Sequence, residues 1–159
     1  MLSDHLQKEC CIMDLKAETV EDAIREISDC LNGAVVDRKV FVLDVLAREK
    51  LNSTGIGYGV AIPHARTNSV KSLVIGFGRA SRGIDFNSID GQKVNFVFVM
   101  GAHPSEIKQS LDVLSELAKL TLDQSFRDRL NAVTTSEEVI ALFKSYEYSF
   151  YQPLLIQEN

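Results

Sequence analysis

Residues 90–100 read DGQKVNFVFVM, a turn signal followed by an apolar run rich in β-branched and aromatic side chains. A run of this kind is typical of a central β-strand. The Asp90-Gly91 pair before it marks a turn, and residues 72–78 (SLVIGFG) predict another strand ahead of that turn. The stretch therefore predicts a β-hairpin, which favours a mixed sheet over a purely parallel one.

Shorter segments of strand and loop character precede this hairpin. Residues 9–15 (ECCIMDL) and 60–62 (VAI) each predict a short strand. Between them, residues 51–59 (LNSTGIGYG) contain three glycines that break any regular period. This stretch therefore predicts a loop.

Helical spacing of apolar residues accounts for much of the remaining chain. Two segments open with N-cap residues, which are Thr19 with Asp22 three positions later and then Asp37. Pro104 suits the first position of another helix, and Thr135 repeats the capping pattern of Thr19. The predicted helices cover residues 19–32, 37–51, about 104–121, a shorter piece around residues 126–130, and a last segment around residues 135–143.

Strands interleaved with helices in this order predict the α/β class. We expect a mixed sheet with helices packed on both faces, which is a three-layer sandwich. A chain of 159 residues with 45% hydrophobic content is long enough for one core, so residues 1–159 are interpreted as a single domain. Its pattern-bearing part covers about residues 10–145, while residues 146–159 show no clear period and are not assigned to an element.

The composition argues against some classes of partner and favours one cellular compartment. Lys and Arg total 17 against 22 Asp and Glu, and the net charge of −5 is not gathered into blocks, which argues against a nucleic-acid partner. No apolar run approaches 18 residues and the start lacks a signal-peptide pattern, so we expect a cytoplasmic protein without membrane insertion. Cys10, Cys11 and Cys30 form no CxxC pair and are interpreted as buried, small apolar residues.

The least ordinary segment of the chain is residues 53–66 (STGIGYGVAIPHAR), which combines hydroxyls, glycines, a proline and a histidine. Pro63 restricts the backbone on one side of His64, and the glycines allow backbone N–H groups to approach an anion. A histidine is partly neutral at cellular pH, so a ring nitrogen can attack phosphorus and form a phosphohistidine. A partly buried structural histidine is the competing interpretation.

A phosphoryl group on His64 would need hydrogen-bond donors. The candidates in the sequence are Arg48, Arg66, Ser53 and Thr54, and the guanidinium fork of arginine suits phosphate oxygens. Each also has a structural interpretation, since Arg48 can complete a helix end and the Ser53-Thr54 pair can act as a cap. No metal-binding, P-loop or hydrolase motif is present, so an autonomous hydrolase or metal enzyme has little support.

The run AREKLNSTGIGYGVAIPHAR (47–66) resembles the signature of enzyme IIA domains of the fructose and mannitol class of the bacterial phosphotransferase system. The similarity is greatest to the free-standing nitrogen-regulatory type. It extends from about residue 10 to residue 145, and it includes GIDF (83–86) and LDVLSELAKL (111–120).

The resemblance implies a five-stranded mixed sheet and a specific set of site residues. His64 is similar to the family's phosphorylated histidine, Arg48 to the arginine that helps hold the phosphate, and Thr54 to a member of the Ser-Thr pair that flanks the site. The implied donor is an HPr-like histidine-containing phosphocarrier protein. The ultimate donor is then phosphoenolpyruvate, and no cofactor or metal is required.

One departure from the family concerns a second active-site histidine, whose position corresponds to Ser110 here. His103 does not replace it by sequence position, because it lies seven residues earlier, or roughly 10 Å along a helix. It is expected to be an N-cap-region or surface residue, with a position facing the site as the alternative.

Three functions compete on this evidence. The first is a regulatory phosphocarrier. The second is a sugar-specific IIA subunit that passes its phosphoryl group to a separate IIB subunit. The third is a binding-only module that has lost phosphotransfer, and its one support is Ser110.

Overall fold

The computed structural model describes the backbone of residues 1–155 and the side chains of residues 1–149. Within residues 1–155, six strands and five α-helices make up the fold, and a short 3-10 helix precedes both the first strand and the third α-helix. The strands are β1 (Leu6–Ile12), β2 (Gly55–Gly57), β3 (Val60–Ala61), β4 (His64–Arg66), β5 (Val74–Ile84) and β6 (Val94–Ala102). The helices are α1 (Val20–Ser28), α2 (Arg38–Leu51), α3 (Ile107–Leu122), α4 (Gln124–Ala132) and α5 (Ser136–Leu155).

The predicted hairpin forms the middle of the sheet. Strands β5 and β6 pair antiparallel, and β1 pairs parallel with β5, so the sheet is mixed as expected. The strand order is β1-β5-β6-β3-β2, and β4 pairs with β6 further along the same edge. Gly91 supplies the left-handed backbone of the predicted turn with a φ of 72°.

The sheet has six strands rather than the five implied by the family resemblance. Strands β3 and β4 both run parallel to β6, with Pro63 lying in the segment between them. Proline has no N–H to donate to the ladder, although the Pro63 carbonyl accepts a 2.9 Å hydrogen bond from the N–H of Met100. The segment therefore follows β6 as two short strands.

The sheet separates two hydrophobic cores, which confirms the predicted three-layer arrangement. Alternate residues of β6 point to opposite faces, so Val97 and Val99 pack with α1 and α2 while Phe98 packs with α3, α4 and α5. In the second core the rings of Phe98 and Phe126 lie edge-on to Phe143, at centroid separations of 5.9 and 5.0 Å. The predicted burial of Cys10 and Cys11 is confirmed, and Cys30 is half-buried.

The predicted loop over residues 51–59 was wrong in its second half. Residues 55–57 form β2, which pairs antiparallel with β3. The hairpin turn places Gly57, Tyr58 and Gly59 in succession at positive φ angles of 100°, 56° and 76°. Such a turn requires glycines, and because glycines in a sequence indicate a loop, the short strand β2 beside them was not predicted.

Both predicted N-caps in the first half are confirmed, because Thr19 accepts from the N–H of Asp22 and Asp37 from that of Val40, each at 3.1 Å. Helix boundaries are less well predicted. Helix α1 ends at Ser28 rather than near residue 32, and Pro104 begins a 3-10 helix ahead of α3. Helix α5 continues through residues 146–155, which the sequence left unassigned, whereas residues 156–159 lie outside the described residues. No helix within residues 1–155 is long and apolar enough to span a bilayer.

Candidate functional site

A cavity of about 380 Å³ opens where the C-terminal half of α2, strand β4 and the first turns of α3 meet. Four of the residues that the sequence singled out line it, namely His64, Arg48, Arg66 and Ser110. Its remaining lining residues are Asp44, Ala65, Met100, Leu111 and Leu114. The fold thus gathers into one cavity four predicted site residues, of which Arg48 and Ser110 are 62 positions apart in sequence.

His64 lies at the start of β4, not in a loop, and is in register with Met100 of β6. Its Nδ1 lies 2.7 Å from the carbonyl oxygen of Ile62. Because a carbonyl can only accept, Nδ1 carries the hydrogen in this contact. The neutral ring therefore has its free lone pair on Nε2.

The surroundings of His64 favour the neutral ring. Burial lowers the pKa of His64 below its ordinary value of 6.5, and the positive charges of Arg48 and Arg66 lower the pKa further. The hydrogen bond to Ile62 and the carboxylate of Glu49 act in the opposite direction. The net lowering keeps Nε2 unprotonated over a wider pH range than in a free histidine.

We therefore expect the His64 ring to remain neutral as the pH falls through 6.5 and to gain its proton only at lower pH. The sign follows from the lowered pKa, since the protonated form is the one that burial and the two arginines disfavour. NMR titration of the ring nitrogens measures this directly, with the His64 signals assigned by their loss in His64→Gln. A titration midpoint at or above 6.5 would contradict the arrangement described here.

Two cations and one carboxylate are the charged side chains among the described residues that line the cavity. Arg48 lies in the last turn of α2, as predicted, and its Nη1 donates a 2.9 Å hydrogen bond to the carbonyl of Asn52, the C-cap residue. Arg66 is exposed at the end of β4, and Asp44 lies one helical turn before Arg48. With the histidine neutral, the two arginines outweigh the carboxylate, which suits an anionic ligand.

Ser110 lies in the cavity where the family resemblance expects a histidine. It is buried, and its hydroxyl donates a 2.8 Å hydrogen bond to the carbonyl of Ile107 in its own helix. The hydroxyl hydrogen is thus committed to α3, and the oxygen offers only its lone pairs to the cavity.

His103 does not line the cavity. It is the N-cap of the 3-10 helix Pro104–Glu106, where its Nδ1 accepts from the N–H of Ser105 and contacts the Ser105 hydroxyl. This confirms the expected N-cap position, and His103 shares no lining of the cavity with His64.

The structure places Ser53 and Thr54 outside the lining of this cavity. The Ser53 hydroxyl donates to the carbonyl of Phe86, and Ser53 lines a different cavity of about 550 Å³ that no described histidine or arginine lines. The Thr54 hydroxyl donates at 2.7 Å to the carboxylate of Glu49. In this arrangement neither hydroxyl is available as a direct hydrogen-bond donor to a bound phosphate, because both already donate to acceptors within the protein.

Two features of the site were not found from the sequence. The carbonyl of Ile62 fixes the proton of His64, and Glu49 binds Thr54 behind the cavity. The residue types of a sequence do not show which backbone carbonyls will accept hydrogen bonds, and no motif singles out Glu49. Within residues 1–155, no cluster of three or more His, Cys, Asp or Glu side chains has the arrangement of a metal site.

Comparison with known proteins gives a family match over most of the chain. Residues 4–146 match the family described as "Phosphoenolpyruvate-dependent sugar phosphotransferase system, EIIA 2". The PTS system fructose-specific EIIABC component of Bacillus subtilis is 32% identical over 148 residues, which are 92% of this chain and 23% of that protein. The chain therefore spans about a quarter of the length of this relative.

Solved structures show the same fold. The nitrogen regulatory protein IIA-Ntr from Neisseria meningitidis superposes with a TM-score of 0.83 at 30% identity, covering 89% of this chain and 97% of that one. Enzyme IIAMTL from Escherichia coli, solved in a complex with phosphorylated enzyme IIBMTL, gives a TM-score of 0.75 at 25% identity. That match covers 88% of this chain and 99% of the other.

Proposed function

The chain belongs to the EIIA 2 family of the phosphoenolpyruvate-dependent sugar phosphotransferase system, and from this premise we propose that it carries a phosphoryl group on Nε2 of His64. One observation carries the choice of atom. Nδ1 is held as a donor by the carbonyl of Ile62, which leaves the Nε2 lone pair free beside two arginines. The complex of the similar IIAMTL with phosphorylated IIBMTL also supports phosphoryl carriage.

The proposed step exchanges one P–N bond for another. The Nε2 lone pair attacks the phosphorus of a donor phosphohistidine, and the donor's ring nitrogen leaves with the electron pair of the broken bond. Positive charge develops on the His64 ring as the new bond forms. The Nδ1–H donor to Ile62 stabilises that charge without giving up its proton.

Arg48 and Arg66 are proposed to hold the oxygens of the phosphoryl group during transfer. Arg48 has donors besides the one bound to Asn52, and the planar fork of arginine matches phosphate oxygens. The transition state of phosphoryl transfer spreads charge over these oxygens, so positioned cations stabilise it directly.

An HPr-like histidine-containing phosphocarrier protein is the proposed donor, with phosphoenolpyruvate as the ultimate source. Support comes from apolar side chains around the mouth of the cavity. Leu111 lines the cavity and is 53% exposed, Ile107 one turn earlier is 50% exposed, and Leu43 beside Asp44 is 52% exposed. Exposed apolar side chains on the helices that border a reactive site suit a protein partner.

A regulatory role is proposed ahead of sugar transport. It is supported by the match to IIA-Ntr over nearly the whole of both chains. The sugar-specific alternative, with transfer to a separate IIB subunit, is supported by the fructose-specific relative and by the complex of IIAMTL with phosphorylated IIBMTL. The binding-only alternative is less favoured, because the nucleophile and two cations share one cavity.

The proposal is tested by incubating the protein with phosphoenolpyruvate and the general phosphotransferase chain, then mapping the phosphoryl group by mass spectrometry. The expected product is an acid-labile adduct on His64. Absence of an adduct would leave the binding-only function. Passage of the phosphoryl group to a purified IIB subunit would favour the sugar-specific role.

Replacing Ser110 by histidine should raise the rate of transfer by up to about tenfold and add a second ionisation to its pH profile. The present hydroxyl hydrogen is committed to Ile107, whereas an imidazole at this position can donate to the phosphoryl oxygens. His103→Ala is the control and should change little, because His103 lies outside the cavity lining. If Ser110→His leaves the transfer rate unchanged and His103→Ala lowers it strongly, these two assignments would be reversed.

A further inference from the structure

Arg48 is held in place by the turn that follows its helix. Its Nη1 binds the carbonyl of Asn52, the residue at which α2 ends. The direction of the guanidinium fork therefore depends on how the turn over residues 52–54 is fixed. That turn is exposed at Asn52 and buried at Thr54.

Glu49 fixes this turn with both oxygens of its carboxylate. The N–H of Thr54 donates to Oε1 at 2.9 Å, and the Thr54 hydroxyl donates to Oε2 at 2.7 Å. Hydrogen bonds to an ionised acceptor are stronger than neutral ones, and because Thr54 is 93% buried and Glu49 half-buried, both bonds are partly shielded from water. Glu49 thus ties the end of α2 back onto the turn that holds its neighbour, Arg48.

Thr54 is also linked to His64, through the backbone of Ile62. The carbonyl of Thr54 accepts a 3.2 Å hydrogen bond from the N–H of Ile62. The carbonyl of Ile62 in turn accepts from Nδ1 of His64 at 2.7 Å. A continuous series of hydrogen bonds therefore runs from the Glu49 carboxylate through Thr54 and Ile62 to the nucleophile.

We infer that Glu49 and Thr54 form a positioning pair, which sets the placement of the Arg48 fork relative to the His64 ring for phosphoryl transfer. This role rests on the proposed function. Neither side chain lines the cavity, so both act by positioning other residues and not through contact with the phosphoryl group, and the Glu49 carboxylate also acts on the His64 ring through its charge. A displacement of about 1 Å in such an arrangement can cost roughly a hundredfold in rate.

The inference gives the Ser-Thr segment a different task from the one expected from the sequence. Thr54 serves the site through Glu49 and Ile62, while the Ser53 hydroxyl binds the carbonyl of Phe86 and the N–H of Gly55. The hydroxyls of Ser53 and Thr54 thus bind acceptors in different parts of the fold. Only Thr54 bridges α2 and the strand that leads to His64.

The experiment compares single-turnover transfer rates at saturating donor for Thr54→Val, Thr54→Ser and Glu49→Ala. We expect Thr54→Val to be about tenfold slower, Thr54→Ser to keep most of the rate, and Glu49→Ala to be roughly a hundredfold slower. The KM for the donor protein should stay near the wild-type value, because neither residue lines the cavity.

Matched controls separate positioning from general stability. Thr121→Val removes another buried hydroxyl, which donates to Leu117 in α3. Glu26→Ala removes another half-buried carboxylate that binds backbone N–H groups, those of Lys16 and Ala17. Both controls should lower the melting temperature while the transfer rate of the folded protein stays within about twofold of wild type.

A double-variant cycle tests whether the pair acts through Arg48. In an Arg48→Lys background, Glu49→Ala should slow transfer much less than it does in the wild type, since the fork that it positions is gone. Equal effects in the two backgrounds would overturn this route. So would wild-type rates in both Thr54→Val and Glu49→Ala.

The outcomes also distinguish this inference from the proposed function. If the wild-type protein is phosphorylated on His64 and the Thr54→Val and Glu49→Ala variants transfer at the same rate as the wild type, only the positioning pair is overturned. A wild-type protein that takes no phosphoryl group overturns both. Thr54→Val keeps the shape of threonine, so it provides the decisive comparison if Glu49→Ala does not fold.

Discussion

Replacement of His64 by glutamine should reduce phosphoryl acceptance to less than about one thousandth of the wild-type rate. Glutamine keeps a polar side chain and can still donate to the Ile62 carbonyl, but its amide nitrogen has no available lone pair for attack on phosphorus. The fold should be retained, because His64 is only half-buried and lies at the edge of the cavity. The measurement is radiolabel transfer from the phosphorylated donor, with circular dichroism to verify folding.

His103→Gln and His5→Gln are the controls for this variant. His103 caps the 3-10 helix Pro104–Glu106, and His5 contacts Gln109 at the surface, so neither shares the cavity with His64. Both variants should label like the wild type. If His64→Gln labels normally and one of these does not, the acceptor has been assigned to the wrong histidine.

Replacement of Arg48 by lysine should slow phosphoryl transfer by about a hundredfold. Lysine keeps the positive charge and suits the end of α2, but it cannot bind the Asn52 carbonyl and a phosphoryl oxygen with one planar fork. The free energy of unfolding should change by less than about 1 kcal/mol, as for a half-exposed side chain with one backbone contact. Stopped-flow or quench-flow transfer rates and thermal melts provide the two measurements.

Arg38→Lys is the matched control for Arg48→Lys. Arg38 begins the same helix at its opposite end and contacts Asn32 and Asp29. Its substitution should leave the transfer rate unchanged. An unchanged rate in Arg48→Lys with a lowered melting temperature would instead make Arg48 a structural helix-end residue.

The sequence predicted best those parts of the fold in which local chemistry and tertiary packing agree. The caps at Thr19 and Asp37 and the apolar run of β6 are examples, since each residue type has one dominant use in that position. It predicted the β2–β3 hairpin poorly, because the turn required two glycines and a left-handed Tyr58 that look irregular in sequence. It also left residues 146–155 unassigned, although α5 runs through them.

The site, like the fold, was predicted well for some residues and poorly for others. Residue types identified His64 and Arg48 as chemically suited to phosphate, and the family resemblance directed attention to Ser110; the fold places all three around one cavity. Ser53 and Thr54 were grouped with them by proximity in sequence. The structure places both outside the lining of the cavity, because each hydroxyl binds the acceptor that the fold brings near it, which is the carbonyl of Phe86 for Ser53 and the carboxylate of Glu49 for Thr54.

The dependence of β4 on β6 sets an order of events during synthesis. Strands β3 and β4 pair with β6, whose residues emerge from the ribosome some 30 positions after His64. Until β6 is present, the segment that bears His64 has no ladder to join, and Met100 is not there to bind the carbonyl of Pro63. A nascent chain therefore displays His64 before the cavity that surrounds it in the completed domain has formed.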